Sequence, residues 1–205
     1  MSMLMNVLSA PPASGFSDSV HDSQKIFRAA LQAMSHPGRV QKISAECGVP
    51  PGLSKGMTAV LLTLVDADTP VWLPQGVNEQ VRHYLRFHCA CPFVSDPCLA
   101  RFVVVPTGFD APSIDACCPG DPAFPDTSTT MLLEVQSLDD SPSHEPVVFT
   151  GPGIKTEQAV SVAGLPDRFW EQWKANHQQF PLGVDAFLIQ ENNLCGLPRT
   201  VSVEG

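Results

Sequence analysis

The sequence predicts a single α/β domain. Amphipathic stretches typical of helices alternate along the chain with short apolar runs typical of buried strands. The 205 residues are 43% hydrophobic, which suffices for one sizeable core, and one domain usually spans about 100 to 200 residues. We therefore expect a loose tail over residues 1–16 and one globular unit over residues 17–205.

The first helix is predicted to begin after a cap at Ser17 or Asp18 and to end at residues 36–38, His-Pro-Gly. Proline bars continuation of the helix, and Gly38 accepts a positive φ. One face of this helix is apolar at a spacing of 3.6 residues per turn, and we expect that face to pack in the core. Its members are Val20, Phe27, Leu31 and Met34.

The segment 60–73 joins two buried elements across a short polar bridge. Residues 60–65 are apolar except for a threonine, and residues 71–73, Val-Trp-Leu, restart as a short strand. Between them, Asp66, Asp68 and Thr69 break the apolar run. The two carboxylates either form a turn by bonding their own backbone or serve as acidic ligands at a pocket rim.

A second amphipathic helix is predicted over residues 78–88, with Val81, Leu85 and His88 on its apolar side. Arg82 and Arg86 lie four residues apart on an adjacent face, where like charges repel each other. Either Glu79 relieves Arg82, or an anion binds to Arg82, Arg86 and His83, which form a basic island in an acidic chain.

The middle of the chain predicts strands separated by one long surface excursion. Residues 102–105 are predicted to form a buried strand, and residues 109–128 are rich in Pro, Asp, Ser and Thr. Residues 131–138 are predicted to form one strand near a sheet margin. The acidic segment 139–145 should turn the chain back, so that residues 147–149 form the hairpin partner of that strand.

Residues 150–155, Thr-Gly-Pro-Gly-Ile-Lys, follow this strand. Gly151 and Gly153 either form a tight structural turn or bring backbone N–H groups close to an anion, to which Lys155 would add charge. The segment lacks the glycine spacing and the Lys-Ser/Thr ending of a phosphate loop.

The C-terminal part predicts a helix after Leu165, a strand over residues 184–189 and a final strand over residues 197–203. The helix carries an aromatic stripe that suits either the core or an interface. Asp185 interrupts an otherwise apolar strand, and a buried acid needs a partner, for which Arg199 is the candidate. The aromatic stripe comprises Phe169, Trp170, Trp173 and His177.

Composition excludes several classes of protein. The net charge of −9 with only 12 Lys and Arg argues against a nucleic-acid binder. No stretch reaches the roughly 18 apolar residues of a membrane span, and the first 15 residues lack the features of a signal peptide. The seven cysteines indicate reduced thiols in the cytoplasm, and the spacing of Cys89, Cys91 and Cys98 fits zinc poorly, so no metal is expected. No common catalytic motif is present.

Taken together, several short blocks in fixed order resemble the PhnH family, the H subunits of the bacterial carbon-phosphorus lyase system, which takes part in phosphonate breakdown. The blocks span about residues 20 to 204. They are Met34-Ser-His-Pro-Gly38, Leu61-Leu-Thr-Leu-Val-Asp66 with Thr69-Pro-Val-Trp-Leu73, Leu85-Arg-Phe-His88, Thr150-Gly-Pro-Gly-Ile154, Pro181-Leu-Gly-Val-Asp185 and Leu197-Pro-Arg199-Thr200.

The resemblance implies a three-layer α/β/α sandwich with a mixed sheet, similar to the large domain of PLP-dependent transferases but without the lysine that holds the cofactor. Of the lysines, only Lys155 follows a predicted strand closely, and no cofactor is expected. The resemblance also implies a homodimer in isolation and a place among the other core subunits of the lyase complex.

Two functions remain open from the sequence. One is a non-catalytic subunit needed for converting an alkylphosphonate and a nucleoside triphosphate to a ribose 1-phosphonate 5-triphosphate. The other is a subunit that binds a nucleotide or phosphonate, or acts directly in catalysis, through Arg86, His88 and the turn at Gly151 and Gly153. Arg82 and Lys155 complete this candidate set, and Asp66, Thr69, Asp185 and Arg199 are expected to be structural.

Overall fold

The computed structural model describes residues 11–44, 46–140 and 146–204, which form four helices and eleven strands. The helices are α1 (Ser19–Ser35), α2 (Lys55–Leu64), α3 (Glu79–Cys89) and α4 (Phe169–His177). The strands are β1 (Gln41–Lys42), β2 (Val71–Trp72), β3 (Phe93–Val94), β4 (Phe102–Val105), β5 (Thr130–Glu134), β6 (Ser137–Asp139), β7 (Val147–Thr150), β8 (Gln158–Ala163), β9 (Asp185–Gln190), β10 (Asn193–Leu197) and β11 (Ser202–Glu204).

Seven of these strands form a mixed sheet in the order β1-β10-β9-β5-β4-β2-β3. Strands β9, β5, β4, β2 and β3 are mutually parallel, whereas β10 and β1 extend the sheet in antiparallel pairings. The other four strands form an antiparallel sheet in the order β11-β7-β8-β6. The predicted α/β class with a mixed sheet is confirmed.

The main sheet separates two apolar cores. Helices α1, α2 and α3 cover one face, where Val104 and Leu132 point into the first core. The neighbouring residues Val103 and Leu133 point into the second core because side chains alternate along a strand. That second face is covered by α4 together with the small antiparallel sheet. The third layer is therefore part helix and part strand, which differs from the all-helical outer layer of the expected sandwich.

Local capping signals set the helix starts as the sequence indicates. Asp18 accepts a hydrogen bond from His21 N at 3.0 Å, and Ser54 accepts one from Met57 N at 3.1 Å. Such caps satisfy backbone N–H groups that have no partner inside the helix. Helix α1 stops at His36, and Gly38 takes a φ of +80°, as predicted for this segment.

The predicted inner face of α1 is wrong. Its buried residues are Asp22, Ile26, Ala30 and Ala33, whereas three of the residues expected in the core are exposed. The physical reason is the strand beneath the helix. A Cβ on Gly196 of β10 would lie only 2.4 Å from the carbonyl oxygen of Ala33, so the helix lies directly against the strand where its alanines Ala30 and Ala33 face inward. The three exposed residues are Val20, Phe27 and Leu31.

The single strand predicted over residues 131–138 is also wrong. The chain forms β5, which lies in the centre of the main sheet, and then β6, which belongs to the small sheet. The predicted hairpin does not form, because β6 pairs with β8, as β7 does. Residues 141–145, which include most of the predicted turn, lie outside the described residues.

Two further segments differ from expectation. The final strand splits into β10 and β11, since Pro198 to Thr200 leave the main sheet and the chain rejoins the small one. The predicted surface excursion 109–128 contains two short 3-10 turns and buries Ile114 and Cys117 in the second core. The long connection therefore packs on the domain through these two buried side chains.

Candidate functional site

The carboxyl ends of the parallel strands form the edge of the sheet at which open α/β folds usually bind ligands. A cleft of about 590 Å³ lies there, beyond β4 and β5. Three carboxylates line it, those of Asp110, Glu134 and Asp167, and its described lining contains no Lys, Arg or His. We call it the acidic cleft. Its charge suits a cation or a neutral polar group and disfavours a polyanion.

Glu134 is held firmly at the end of β5. One carboxylate oxygen accepts a hydrogen bond from Ser54 N at 2.7 Å, and the other accepts one from Thr107 N at 3.1 Å. The carboxylate thereby links the start of α2 to the loop after β4. Glu134 is not among the site residues that the sequence predicts. Its position directly after the apolar run of residues 131–133 was the available signal, because that run ends at the ligand-binding edge.

A second cleft, of about 350 Å³, lies at the carboxyl ends of β2 and β3. Arg82 supplies the charged side chain among its described lining residues, so we call it the Arg82 cleft. The Trp72 indole is fixed beside it by a hydrogen bond to Ser95 O at 3.1 Å. Its polar and apolar walls are Trp72, Leu73, Gln75, Phe93, Val94 and Ser95.

Arg82 and Arg86 share one aromatic partner. Both guanidinium carbons lie 5.2 Å from the centre of the Phe93 ring. The ring face attracts each cation, and Glu79 approaches Arg82 at 3.9 Å, so both contacts offset the repulsion between the two arginines. The side chain of Arg82 is 23% exposed, whereas Arg86 is an exposed residue.

His88 faces away from this pair and toward the N-terminal segment. Its Nε2 lies 2.9 Å from the carbonyl oxygen of Ala13. On the same helix, the Tyr84 hydroxyl donates to the carbonyls of Ser14 and Gly48, and burial raises the pKa of Tyr84 above its usual range. Residues 13 and 14, within the predicted tail, thus pack on α3, while residues 1–10 lie outside the described residues.

The turn at Gly151 and Gly153 belongs to another neighbourhood. A Cβ on Gly153 would lie 2.2 Å from Ser35 O, and one on Gly151 would lie 2.8 Å from Thr200 O. The space beside both glycines is therefore filled by the backbone of this chain, which favours the structural alternative. Lys155 is exposed. The six candidate ligand-binding residues thus separate into the arginine pair, His88 and this turn.

The remaining candidates have structural contacts. Asp66 Oδ1 accepts from Asp68 N at 3.0 Å, and Thr69 Oγ1 accepts from Asp66 N at 2.7 Å, so this segment is a turn closed by its own side chains. Arg199 Nη2 lies 2.5 Å from Asp185 Oδ2, which is the ion pair that the sequence predicts.

Burial dominates the chemistry of several thiols. It raises the pKa of Cys89, Cys117 and Cys195 to about 12 in each case, which keeps them protonated and unreactive. Among the described residues, no group of three or more His, Cys, Asp or Glu side chains is placed to hold a metal ion. The described helices are too short or too polar to cross a membrane.

Comparisons with known proteins cover nearly the whole chain. The family model described as "Bacterial phosphonate metabolism protein (PhnH)" matches residues 14–204. The chain is 33% identical over 190 residues to the "Alpha-D-ribose 1-methylphosphonate 5-triphosphate synthase subunit PhnH" of Rhizobium meliloti, covering 92% of this chain and 94% of that protein. It is also 28% identical over 183 residues to the "Putative C-P lyase subunit protein HtxG" of Stutzerimonas stutzeri, covering 88% and 85% respectively. The chain therefore belongs to the PhnH family of bacterial phosphonate metabolism proteins.

Proposed function

We propose that this protein is an accessory, non-catalytic subunit of the carbon-phosphorus lyase core complex. In that role it assists the conversion of an alkylphosphonate and a nucleoside triphosphate to a ribose 1-phosphonate 5-triphosphate. The observation that carries the proposal is the match over 94% of a relative that is itself named as a subunit of such a synthase. The other core subunits are the partners, and the cytoplasm is the expected location.

The charge of the acidic cleft supports an accessory role. Both substrates of the proposed reaction are anions, and the triphosphate carries several negative charges. Asp110, Glu134 and Asp167 line the larger cleft at the ligand-binding edge of the sheet. Carboxylates repel phosphate groups, so this cleft is poorly suited to either substrate. Chemistry on these substrates then belongs to other subunits.

The positions of the lysines do not support a pyridoxal-phosphate enzyme. We still propose that the fold is similar to the large domain of PLP-dependent transferases. A lysine that forms a Schiff base must reach the cofactor pocket. Lys55 is half-buried and pairs with Glu46 at 3.2 Å, and the other four lysines are exposed. None of them lines the acidic cleft. Fold likeness alone does not confer the activity.

Co-expression with the other core subunits tests the proposal. We expect this chain to co-purify with them and its omission to lower formation of the ribose phosphonate product. If the remaining subunits assemble and keep full activity without it, the proposal is wrong. Size-exclusion chromatography with light scattering on the isolated chain tests the homodimer that we expect in the absence of partners.

A second function, binding of a phosphate or phosphonate group, is favoured by one observation. Arg82 lines a cleft of about 350 Å³ at the carboxyl ends of β2 and β3, with Arg86 on the same aromatic ring. Calorimetry with a nucleoside triphosphate and with methylphosphonate, at low ionic strength, tests it. We expect heat from the wild type and its loss in Arg82→Met.

Lys155→Met tests the alternative site, because Lys155 is an exposed cation in the turn after β7. Binding that survives Arg82→Met but is lost in Lys155→Met would assign the anion to the turn. If the wild-type chain gives no heat, the isolated subunit binds an anion neither at Arg82 nor at the turn that contains Lys155.

A further inference from the structure

Helix α1 leaves three apolar side chains exposed on its outer face. Ile26, Ala30 and Ala33 face the core, where Gly196 lets the helix lie directly against β10. Val20 is 73% exposed, and Phe27 and Leu31 are 47% and 53% exposed. The free energy of folding gains little from these three side chains, which must contact water unless another molecule covers them.

These side chains lie along one side of the helix. Their spacings of seven and four residues return to the same side of a helix, and Gln24 falls between them on that side. Exposed apolar residues that are scattered singly are normal on a protein surface, but a row of three along one helix is a mark of an interaction site. We name this row the α1 stripe: Val20, Phe27 and Leu31.

A cationic side chain lies beside the α1 stripe. Arg28 is exposed and follows Phe27 directly on the solvent side of the helix. Lys25 is also exposed, but its Nζ lies 3.4 Å from Asp22 Oδ1 and is already paired within the helix. The carboxylate within α1 is that of Asp22, which is buried and accepts hydrogen bonds from Asp18 N at 3.3 Å and from Ser17 Oγ at 3.4 Å. The outer face of α1 is thus apolar and cationic, although the whole chain has a net charge of −9.

We infer that the α1 stripe is the docking surface for another subunit of the complex, one that presents an apolar ridge flanked by carboxylates. The apolar ridge covers the stripe, and the carboxylates pair with Arg28. Such charge pairing steers association and fixes its register. This inference rests on the proposed function, because it names the surface through which the accessory subunit joins its partners.

A second copy of this chain fits the stripe less well. If two α1 helices packed against each other in antiparallel fashion around a twofold axis, their cationic edges would lie on the same side. Arg28 of one copy would then face the cationic edge of the other, and like charges placed together oppose association. A partner with acidic residues gains attraction from the same edge.

The test measures the affinity of the purified chain for the assembled remaining core subunits by biolayer interferometry. We expect the double variant Phe27→Ser with Leu31→Ser to raise Kd at least tenfold. Its matched control is Leu99→Ser with Phe124→Ser, since these residues are 65% and 63% exposed elsewhere on the surface. The control should bind within twofold of the wild type. Circular dichroism and Tm verify that both variants fold.

A charge variant tests the second half of the inference. Arg28→Glu should weaken binding and lower its sensitivity to salt, because it removes an attractive pair at the edge of the interface. Lys42→Glu is its control. Lys42 is exposed, and the next residue, Ile43, is buried in the core beneath α1. Because side chains alternate along a strand, Lys42 points to the opposite face of the sheet, away from the α1 stripe.

The outcomes separate this inference from the proposed function. If the wild-type chain binds and the stripe variants bind equally well, the docking surface is wrong while the accessory role stands. If the wild-type chain does not bind, both fail together. If the stripe variants still bind the other subunits but turn a homodimer into monomers, the stripe serves self-association and the inference is overturned.

Discussion

Arg199 holds Asp185 from three directions. Its backbone N donates to Asp185 Oδ1 at 2.7 Å, its Nε donates to the same oxygen at 3.1 Å, and its Nη2 lies 2.5 Å from Oδ2. The same guanidinium also bonds Ser128 Oγ and the carbonyls of Pro125 and Pro181. The pair thus ties the segment after β10 to the start of β9 and to the long 109–128 connection.

Replacing the arginine by an apolar side chain should destabilise the fold. Arg199→Met leaves the Asp185 carboxylate without its cation in a site where the two side chains are 11% and 25% exposed. Removing one partner from a buried pair costs about 3 to 5 kcal/mol, and the partial exposure of Asp185 places the expected loss near the lower value. Urea unfolding followed by circular dichroism measures it.

Arg168→Met is the matched control for this loss. Arg168 pairs with Glu171 at 2.8 Å, but both side chains are more than half exposed, so the free energy of unfolding should change by less than about 1 kcal/mol. Equal effects of the two substitutions would show that burial does not govern the Asp185 pair.

The sequence predicts this ion pair because a carboxylate inside an apolar strand needs a partner wherever the strand lies. Helix caps and the stop at residues 36–38 are predictable for a similar reason, since their signals lie within a few residues. The outward orientation of Phe27 is different. It depends on the close approach of α1 to Gly196, more than 160 residues further along the chain. The spacing of apolar residues within the helix does not reveal this contact.

The split of residues 131–138 between two sheets has the same origin. Residues 131–133 are buried on both faces between β4 and β9, whereas residues 137–139 pair with β8. All three partner strands come from other parts of the chain. The two clefts are likewise formed by loops that follow different strands, so the sequence indicates single residues such as Arg82 but not the cavity that surrounds them.

The backbone contact at Gly153 predicts a strong effect of a single added methyl group. Gly153→Ala places a side chain at a φ of +85°, which costs about 1 to 2 kcal/mol, and also sets its Cβ 2.2 Å from Ser35 O. Because the close atom belongs to the backbone, relief requires movement of the turn or of the end of α1. We expect a total loss of about 3 kcal/mol or more in urea unfolding.

Gly108→Ala isolates the conformational part of that loss. Gly108 has a φ of +84°, and a Cβ at this position would meet no atom within 4 Å. The variant should therefore lose only about 1 to 2 kcal/mol. If Gly153→Ala costs no more than Gly108→Ala, the turn does not pack on α1 as described.

The buried thiol of Cys195 predicts a loss of stability at alkaline pH. Burial raises its pKa to about 12 from an ordinary value of 9.0, so the unfolded chain releases the proton first as the pH rises. The stabilisation is complete below pH 9 and is lost between pH 9 and 12. At pH 10 this single group lowers the free energy of unfolding by about 1 kcal/mol relative to low pH.

Cys195→Ala should remove that contribution. The difference in unfolding free energy between pH 8 and pH 10 should shrink by about 1 kcal/mol relative to the wild type. Cys98→Ala, at an exposed position, serves as the control and should leave the difference unchanged. An unchanged pH dependence in Cys195→Ala would mean that this thiol is not buried as described.

The turn at Asp66 predicts a result that separates its two interpretations. The Asp66 side chain accepts from Asp68 N at 3.0 Å at an exposed position, and Thr69 Oγ1 closes the other side of the turn at 2.7 Å from Asp66 N. Asp66→Asn keeps the accepting oxygen and removes the charge, so stability should change by less than about 0.5 kcal/mol. Asp66→Ala removes the acceptor and should cost about 1 kcal/mol.

Activity of the assembled complex then decides between a turn and a ligand. If Asp66 is a turn former, Asp66→Asn supports full activity, because the hydrogen bond to Asp68 N does not need a negative charge. If its carboxylate contacts a substrate or cation at a pocket rim, Asp66→Asn loses activity although the protein remains as stable as the wild type. The hydrogen bonds within residues 66–69 favour the first result, since they use the backbone N–H and C=O of Asp66 and one of its two carboxylate oxygens to close the turn.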